Sequence, residues 1–391
     1  MRTDLPDVAG SGASLLAMHV RSYVEELTAS LNAFSHSALA SVVDVLERAR
    51  RDQRRIFIIG NGGSAATASH MACDLAKGTV DQRNPEFVRF RALSLSDNTA
   101  LITALGNDLS FEAVFSEQLA MVMNDGDVVV FISASGNSPN LVRAAEYARS
   151  RGAETVALLG FGGGTLADLV DVPVVVSSRN YGVAEDFHLI VQHVLTQYLR
   201  RALSGPPRRV AFLDRDGVIN ERLGPHEYVE RWEQFRFVPG VVPMLRGLAA
   251  QGYELVVITN QQGVGKGVMS AAALHAIHEA MTTALAAEGL ALAQVLHCPH
   301  VEADHCFCRK PRPGLIYQAM NASPYLTDLP GSILIGEART DMLAGRAAGI
   351  CTRVYIGHPD DAGPDATAVV GSVDDVLAVV CPSELKPALS S

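Results

Sequence analysis

Ile56-Phe57-Ile58-Ile59-Gly60-Asn61-Gly62-Gly63-Ser64 runs from four unbroken apolar residues into a glycine-rich loop, and a helical pattern starts at Ala65. A run that is apolar throughout suits a strand buried on both faces of a parallel sheet, and parallel strands are joined by crossover helices. Glycines at the end of such a strand let backbone amides approach a ligand, and the helix N-terminus behind them favours an anion. This one stretch therefore predicts an α/β layered domain with an anion site at the C-terminal end of its strands.

Working outward, the arrangement recurs where Val128–Ile132 leads into Ser133-Ala134-Ser135-Gly136-Asn137-Ser138, whose three hydroxyls suit a phosphate monoester. Two such loops in one domain argue for a phosphate site better than one. Further buried strands are expected at Thr155–Leu159 and Pro173–Val176. Two helices are expected across residues 14–53, with Leu15, Val20, Val24, Leu27 and Leu31 on one stripe. Ser204-Gly205-Pro206-Pro207-Arg208-Arg209 cannot continue a helix, and a second strand series follows it. Those strands are Val210–Leu213, Leu255–Thr259, Val295–Cys298, Ile333–Gly336 and Arg353–Ile356. The division is thus residues 1–203, a linker at 204–209, and a second α/β domain over 210–391.

The 391 residues are 48% hydrophobic, enough for two cores, and 42 acidic against 32 basic residues give a formal charge of −10. No basic tract marks a nucleic-acid partner. No apolar run approaches a membrane span, and the N-terminal stretch Leu15–Val20, interrupted by His19, does not read as a secretory signal. Of six cysteines (Cys73, Cys298, Cys306, Cys308, Cys351 and Cys381), three crowd around His300, a pattern of metal binding rather than of a disulfide framework. A cytoplasmic protein without nucleic-acid or membrane partners is expected.

In the first domain His70 and Asp74 are four residues apart and share a helix face. Glu185, Asp186, His188 and His193 fall on a later predicted helix, where Asp186 and His193 align after two turns. Gly60–His70 and Ser133–Asn140 resemble the signature loops of the sugar isomerase (SIS) fold, specifically of the sedoheptulose 7-phosphate isomerases, over about residues 14–203. The resemblance implies a three-layer α/β sandwich on a parallel sheet and a ketose–aldose isomerisation through an enediol. It also implies a homo-oligomer, a tetramer formed through this domain. Asp74 and His193 would handle protons; Asn61, Gly62, Gly63, Ser64, Asp97, Ser133, Ser135, Asn137 and Ser138 would bind substrate. Zinc is often held at the same place in the family, here by His70, Asp74, Glu185 and His193. The family usually has glutamate at position 74 and glutamine at 185.

The second domain opens on Asp214-Arg215-Asp216-Gly217-Val218-Ile219-Asn220, two aspartates at the C-terminal end of a buried strand, where open α/β sheets place ligands. Cys298-Pro299-His300 and Cys306-Phe307-Cys308 offer three sulfurs and one imidazole, a closed tetrahedral set suited to structural zinc. The stretches 212–220, 259–267 and 308–314 resemble the haloacid dehalogenase (HAD) superfamily. Within it they resemble the D-glycero-D-manno-heptose 1,7-bisphosphate phosphatases and, sharing the zinc clip, the histidinol phosphate phosphatases. The implied fold is a Rossmann-like α/β domain with a zinc-binding loop. Asp214 would attack phosphorus, Asp216 would act as acid and then base, and Thr259, Asn260, Arg309 and Lys310 would bind the phosphoryl group. Mg²⁺ would sit on Asp214, Asp216 and Glu337. Glu337 stands where the family has aspartate and Ala338 where it has lysine, and Arg339 is the nearest basic residue that could replace that lysine.

Together the resemblances imply a bifunctional heptose phosphate enzyme: isomerase first, bisphosphate 7-phosphatase second, serving nucleotide-activated heptose synthesis. The alternative is a phosphatase carrying a non-catalytic sugar-phosphate-binding or scaffolding module.

Overall fold

The computed structural model describes residues 12–380 apart from 83, 85, 225 and 226; Cys381 and the outer ends of both expected domains lie outside the described residues. Two compact units divide the chain, Met1–Ser204 and Gly205–Ser391.

The first unit holds five parallel strands, β1 (Arg55–Gly60), β2 (Arg91–Ser94), β3 (Val128–Ser133), β4 (Glu154–Leu159) and β5 (Val172–Val175), in the order β2-β1-β3-β4-β5. Residues along each strand alternate between two cores. Ile56, Ile58, Val128, Val130 and Ile132 pack with Met71, Phe187, Val191 and Leu195 of the helices on one face. Phe57, Ile59, Val129 and Phe131 pack with Leu105, Leu119, Leu141 and Ala148 on the other. Each such buried side chain contributes about 2 kcal/mol, so the three layers follow from the uninterrupted apolar strands.

The second unit repeats the logic with six parallel strands: β6 (Arg209–Leu213), β7 (Tyr253–Asn260), β8 (Leu292–Cys298), β9 (Ile333–Gly336), β10 (Thr352–Ile356) and β11 (Ala368–Val370). Their order is β11-β10-β9-β6-β7-β8. Ala211, Leu213, Leu255 and Val257 face Met244, Leu248, Ile277 and Met281, while Val210, Phe212, Val256 and Ile258 face Leu315, Ile316 and Met342.

In both sheets the strand order reverses beside the first strand, between β1 and β3 and between β6 and β9. A crevice opens at such a reversal, outside the carboxyl ends of the strands. The expected strands all form, with ends shifted by up to three residues, and the edge strands β2 and β11 join them. The two N-terminal helices are Gly12–Ala33 and His36–Arg51. The expected stripe on the first of them does not settle as one buried face: Leu15, Val20 and Val24 are more than half exposed, and only Leu27 and Leu31 are partly covered. No helix among the described residues is long and apolar enough to cross a membrane.

Candidate active sites

In the first unit β1 ends at Gly60, Gly62 takes a left-handed φ of 55°, and the helix Gly63–Cys73 begins. Asn61 exchanges two side-chain hydrogen bonds with Asn140, at 2.9 and 3.0 Å, tying this loop to the one after β3. There the Gly136 amide donates to the Ser133 hydroxyl at 3.0 Å, and Gly136 has a φ of 65°. Ser64 and Ser133 are buried beneath their loops. Asn137 is engaged within the protein: its amide donates to the Ser135 carbonyl, and its carbonyl accepts from the Thr165 amide and hydroxyl. Asp97 accepts a hydrogen bond from Ser69.

Past the helix Gly63–Cys73 the backbone widens its pairing into a π-helical turn, Asp74–Gly78, which begins at Asp74. Such turns recur at functional sites because the extra residue re-aims side chains. The Asp74 carboxylate lies 3.5 Å from His70 Nε2 and 4.0 Å from His193 Nε2, and the two imidazole nitrogens are 3.4 Å apart. His193 comes from the long helix Tyr181–Leu203, whose start is capped by the Asn180 side chain. These three ligand atoms converge closely enough to hold a metal ion; the spacings of 3.4 and 3.5 Å are near the edge of about 3.3 Å of a tetrahedron with bonds of about 2.0–2.1 Å, and that of 4.0 Å is longer. Glu185 stands apart from this set, its carboxylate resting against the Cα of Gly63, where a Cβ would collide with it. Asp186 accepts from the Tyr23 hydroxyl at 2.6 Å, which pushes that phenol up to about 12. His188 is fully buried, and that burial depresses its imidazole to about 4.

In the second unit Asp214 leaves β6 with its amide bonded to the Ile335 carbonyl of β9. Lys310 Nζ lies 2.9 Å from Asp214 Oδ1 and 2.6 Å from Asp341 Oδ1, and donates to the Ile258 carbonyl at 2.9 Å. Burial, then the Asp341 charge, raise Asp214 to about 7, with Lys310 opposing. Burial works against the Lys310 ammonium, yet the two carboxylates hold it above the usual lysine range. Asp216 receives Arg215, Asn220 Nδ2 at 3.0 Å and Gln261 Nε2 at 2.7 Å. Burial pushes Asp216 up, but the Arg215 charge and these donors outweigh it and leave the carboxyl below its ordinary value. Thr259, Asn260 and Arg309 border the same cleft of about 330 Å³, a size that suits a small polar ligand.

Asp214, Asp216 and Glu337 all line this cleft and offer the oxygen donors that a hard divalent cation prefers. The Lys310 ammonium and the Arg215 backbone amide both donate to Asp214 Oδ1. Glu337 is raised by burial, against the pull of Arg222, whose guanidinium meets its Oε1 at 2.9 Å. The other Glu337 oxygen presses on Gly217, at a φ of 80°. Arg339 does not replace the absent lysine: its guanidinium packs against Gly363, while Arg222 from the loop after Asn220 borders the cleft instead. Beside the cleft, Cys298, His300, Cys306 and Cys308 gather their ligand atoms 3.3–3.6 Å apart along the measured edges. That is too long for disulfides and close to the edge of about 3.8 Å of a tetrahedron with metal–sulfur bonds of about 2.3 Å. Burial raises the Cys298 thiol to about 12, so a cation is what would hold it as thiolate.

The sequence profile of the SIS domain matches residues 22–160, and that of the polynucleotide kinase 3 phosphatases matches residues 209–350. A phosphoheptose isomerase of Geotalea daltonii is 38% identical over 170 residues, which cover 44% of this chain and 86% of that protein. The chain belongs to the phosphoheptose isomerase family. A second such isomerase, from Nitratiruptor sp., is 39% identical over 160 residues, 41% of this chain and 82% of its own length. A solved D,D-heptose 1.7-bisphosphate phosphatase from B. bronchiseptica, complexed with magnesium and phosphate, is 27% identical, covers 44% of this chain and 97% of its own, and has a TM-score of 0.38.

Within the phosphoheptose isomerase unit the structure brings together His70, Asp74 and His193 of the expected set, and leaves Glu185 at the glycine loop. In the second unit the motifs include Gln261 and Asp341 without assigning them a role, and sequence reasoning passed over Arg215 and Arg222 as site residues. Asp341 follows Glu337 by four residues at the start of the helix Arg339–Ala348, and that spacing was the available signal. Arg222 carried none, since its partner is 115 residues away.

Proposed function

We propose that the chain is a bifunctional heptose phosphate enzyme of the cytoplasm, isomerising sedoheptulose 7-phosphate in its first unit and removing the 7-phosphate of heptose 1,7-bisphosphate in its second. What supports the reading is that each unit sets a carboxylate against proton-handling or cationic partners, Asp74 beside His70 and His193, and Asp214, which lines the second unit's cleft, beside Lys310.

In the isomerisation Asp74 takes the proton from C1 while His193 protonates the C2 oxygen, giving the enediol. The enediol then loses its O1 proton and gains one at C2, leaving the aldose. The loops at Asn61–Ser64 and Ser133–Ser138 hold the phosphate through amides and hydroxyls. A zinc ion on His70, Asp74 and His193 would polarise the sugar oxygens.

In the phosphatase reaction Asp214 Oδ bonds to phosphorus as the bond from phosphorus to the sugar oxygen breaks, and Asp216 gives that oxygen its proton. Asp216 then takes a proton from water, which attacks the aspartyl phosphate and releases inorganic phosphate. Unliganded, Asp216 is held ionised; the incoming phosphate dianion raises its proton affinity through like-charge repulsion. Mg²⁺ on Asp214 and Glu337, with Asp216 at hand, would offset the repulsion between the Asp214 carboxylate and the phosphate. Lys310 holds phosphoryl oxygens and keeps Asp341 and Asp214 apart in charge. Zinc on Cys298, His300, Cys306 and Cys308 would fold the loop that carries Arg309 and Lys310.

Leu15, Leu16, Met18, Val20 and Val24 on the first helix, with Val194 and Tyr198 on the last, leave apolar side chains uncovered in one chain, as a homo-oligomer built on the first unit would require.

The test is incubation with sedoheptulose 7-phosphate in D₂O, and with heptose 1,7-bisphosphate and Mg²⁺. Deuterium in the aldose product and release of one phosphate per bisphosphate are expected. Phosphate release without isomerisation or deuterium exchange would leave the first unit a binding module.

A further inference from the structure

Among the described residues Arg215 is the largest side chain essentially sealed from solvent, at 1% exposure, and in the chain it stands between Asp214 and Asp216. Its Nη2 donates to Asp216 Oδ1 at 2.8 Å and Oδ2 at 3.1 Å, and its Nε reaches Oδ1 at 3.3 Å. Its other terminal nitrogen, Nη1, meets His278 Nε2 at 3.2 Å. His278 is itself buried, on the helix Ala271–Ala287 that Ser270 caps, and its ring stands edge-on to His297 at 5.5 Å.

A guanidinium has only donors. The His278 Nε2 must therefore accept, which puts the ring proton on Nδ1 and keeps the imidazole neutral. Burial and the Arg215 charge press the same way, lowering His278 to about 3. A buried guanidinium is costly unless its N–H groups are met, and His278 accepts from Nη1, the nitrogen that Asp216 does not reach. Arg215 also borders the cleft, and a guanidinium that loses its acceptor at Nη1 is no longer fixed in orientation. An arginine free to turn would carry the Asp216 carboxylate out of line with it.

We propose that His278 is a positioning residue: by accepting from Nη1 it anchors the Arg215 guanidinium on Asp216 and so holds that carboxyl toward the oxygen of the leaving alcohol. This rests on the phosphatase reading above, in which Asp216 serves as general acid. It is separable from that reading, because the role matters only where the leaving group needs a proton.

The experiment compares kcat/KM of the full chain, with Mg²⁺, on heptose 1,7-bisphosphate, whose alkoxide leaving group must be protonated, and on p-nitrophenyl phosphate, whose phenolate need not be. His278→Phe is expected to lose on the order of a hundredfold on the bisphosphate, the scale of a misplaced general acid, and about twofold or less on the aryl ester. His278→Gln, with an amide oxygen where Nε2 stands, should recover the alkyl reaction to within about tenfold of wild type. If His278→Phe does not fold, His278→Asn, whose shorter amide falls short of Nη1, takes its place against His278→Gln. Equal losses on both esters, or no recovery in His278→Gln, would overturn the proposal. A wild-type chain that leaves the bisphosphate intact would instead sink the phosphatase reading, a different result.

Discussion

The two reaction sites differ most in how far a single chain finishes them. In the isomerase unit the side chains of His70, Asp74 and His193 are 46%, 29% and 39% exposed, and their contacts of 3.4–4.0 Å are loose. In the second unit Lys310 and Asp341 are 2% and 1% exposed and 2.6 Å apart, with Asp214 at 13%. An open set of this kind leaves its ligand atoms free to meet a bound group. The buried set carries its charges whether or not substrate is present, and preorganised charge of that sort is what stabilises a developing transition state. The cost is that the folded second unit depends on the balance of those charges.

Substitutions can break this contrast. On the proposed mechanism Asp214→Asn removes the attacking carboxylate, and phosphate release from heptose 1,7-bisphosphate should fall on the order of 10⁴-fold or more. Isomerisation assayed on the same sample should be unchanged. Asp74→Asn removes the proposed carbon base and should slow isomerisation by roughly 10²–10⁴-fold, with phosphate release intact. Stability should show the opposite sensitivity. Lys310→Met leaves Asp214 and Asp341 facing each other unpaired and should destabilise the second unit by about 3–5 kcal/mol. The only tryptophan, Trp232, lies in that unit, so its fluorescence follows the unfolding. A first-unit substitution such as Asp74→Asn should leave that fluorescence transition in place.

The smallest effect concerns acid. His188 in the first unit and His278 in the second both have folded values depressed by burial, to about 4 and about 3. Below pH of about 6.5 the unfolded chain takes up a proton that the folded one refuses, so stability is lost as pH falls toward those values. The slope is about 1.4 kcal/mol per pH unit for each histidine. Equilibrium denaturation between pH 7 and 5 should show it, read by isomerase activity for the first unit and Trp232 for the second. His188→Phe should flatten the slope of the first unit alone.

Much of this was legible in the chain because the decisive signals are local. Ile56–Ile59 and Val210–Leu213 are apolar on both faces, which only a covered parallel sheet explains. The Cys/His cluster is visible because its four candidate metal ligands fall within Cys298–Cys308. The edge strands were not legible: Arg91–Ser94 is half exposed and only four residues long, and Ala368–Val370 only three, so neither shows the run of buried residues that marks a central strand. Asn137 and Arg339 had the right chemistry beside the right motifs, yet tertiary packing directs one to Thr165 and the other to Gly363. Arg222, with no motif, meets Glu337 because a loop folds over the sheet.

The longer acid at position 337 has a consequence for how this sequence can change. Its carboxylate fits only because residue 217, in a left-handed turn, has no side chain to meet it. The two positions therefore drift as a pair: a lineage that replaces Gly217 must first shorten the acid at 337, whereas one that shortens the acid leaves Gly217 constrained by its backbone alone.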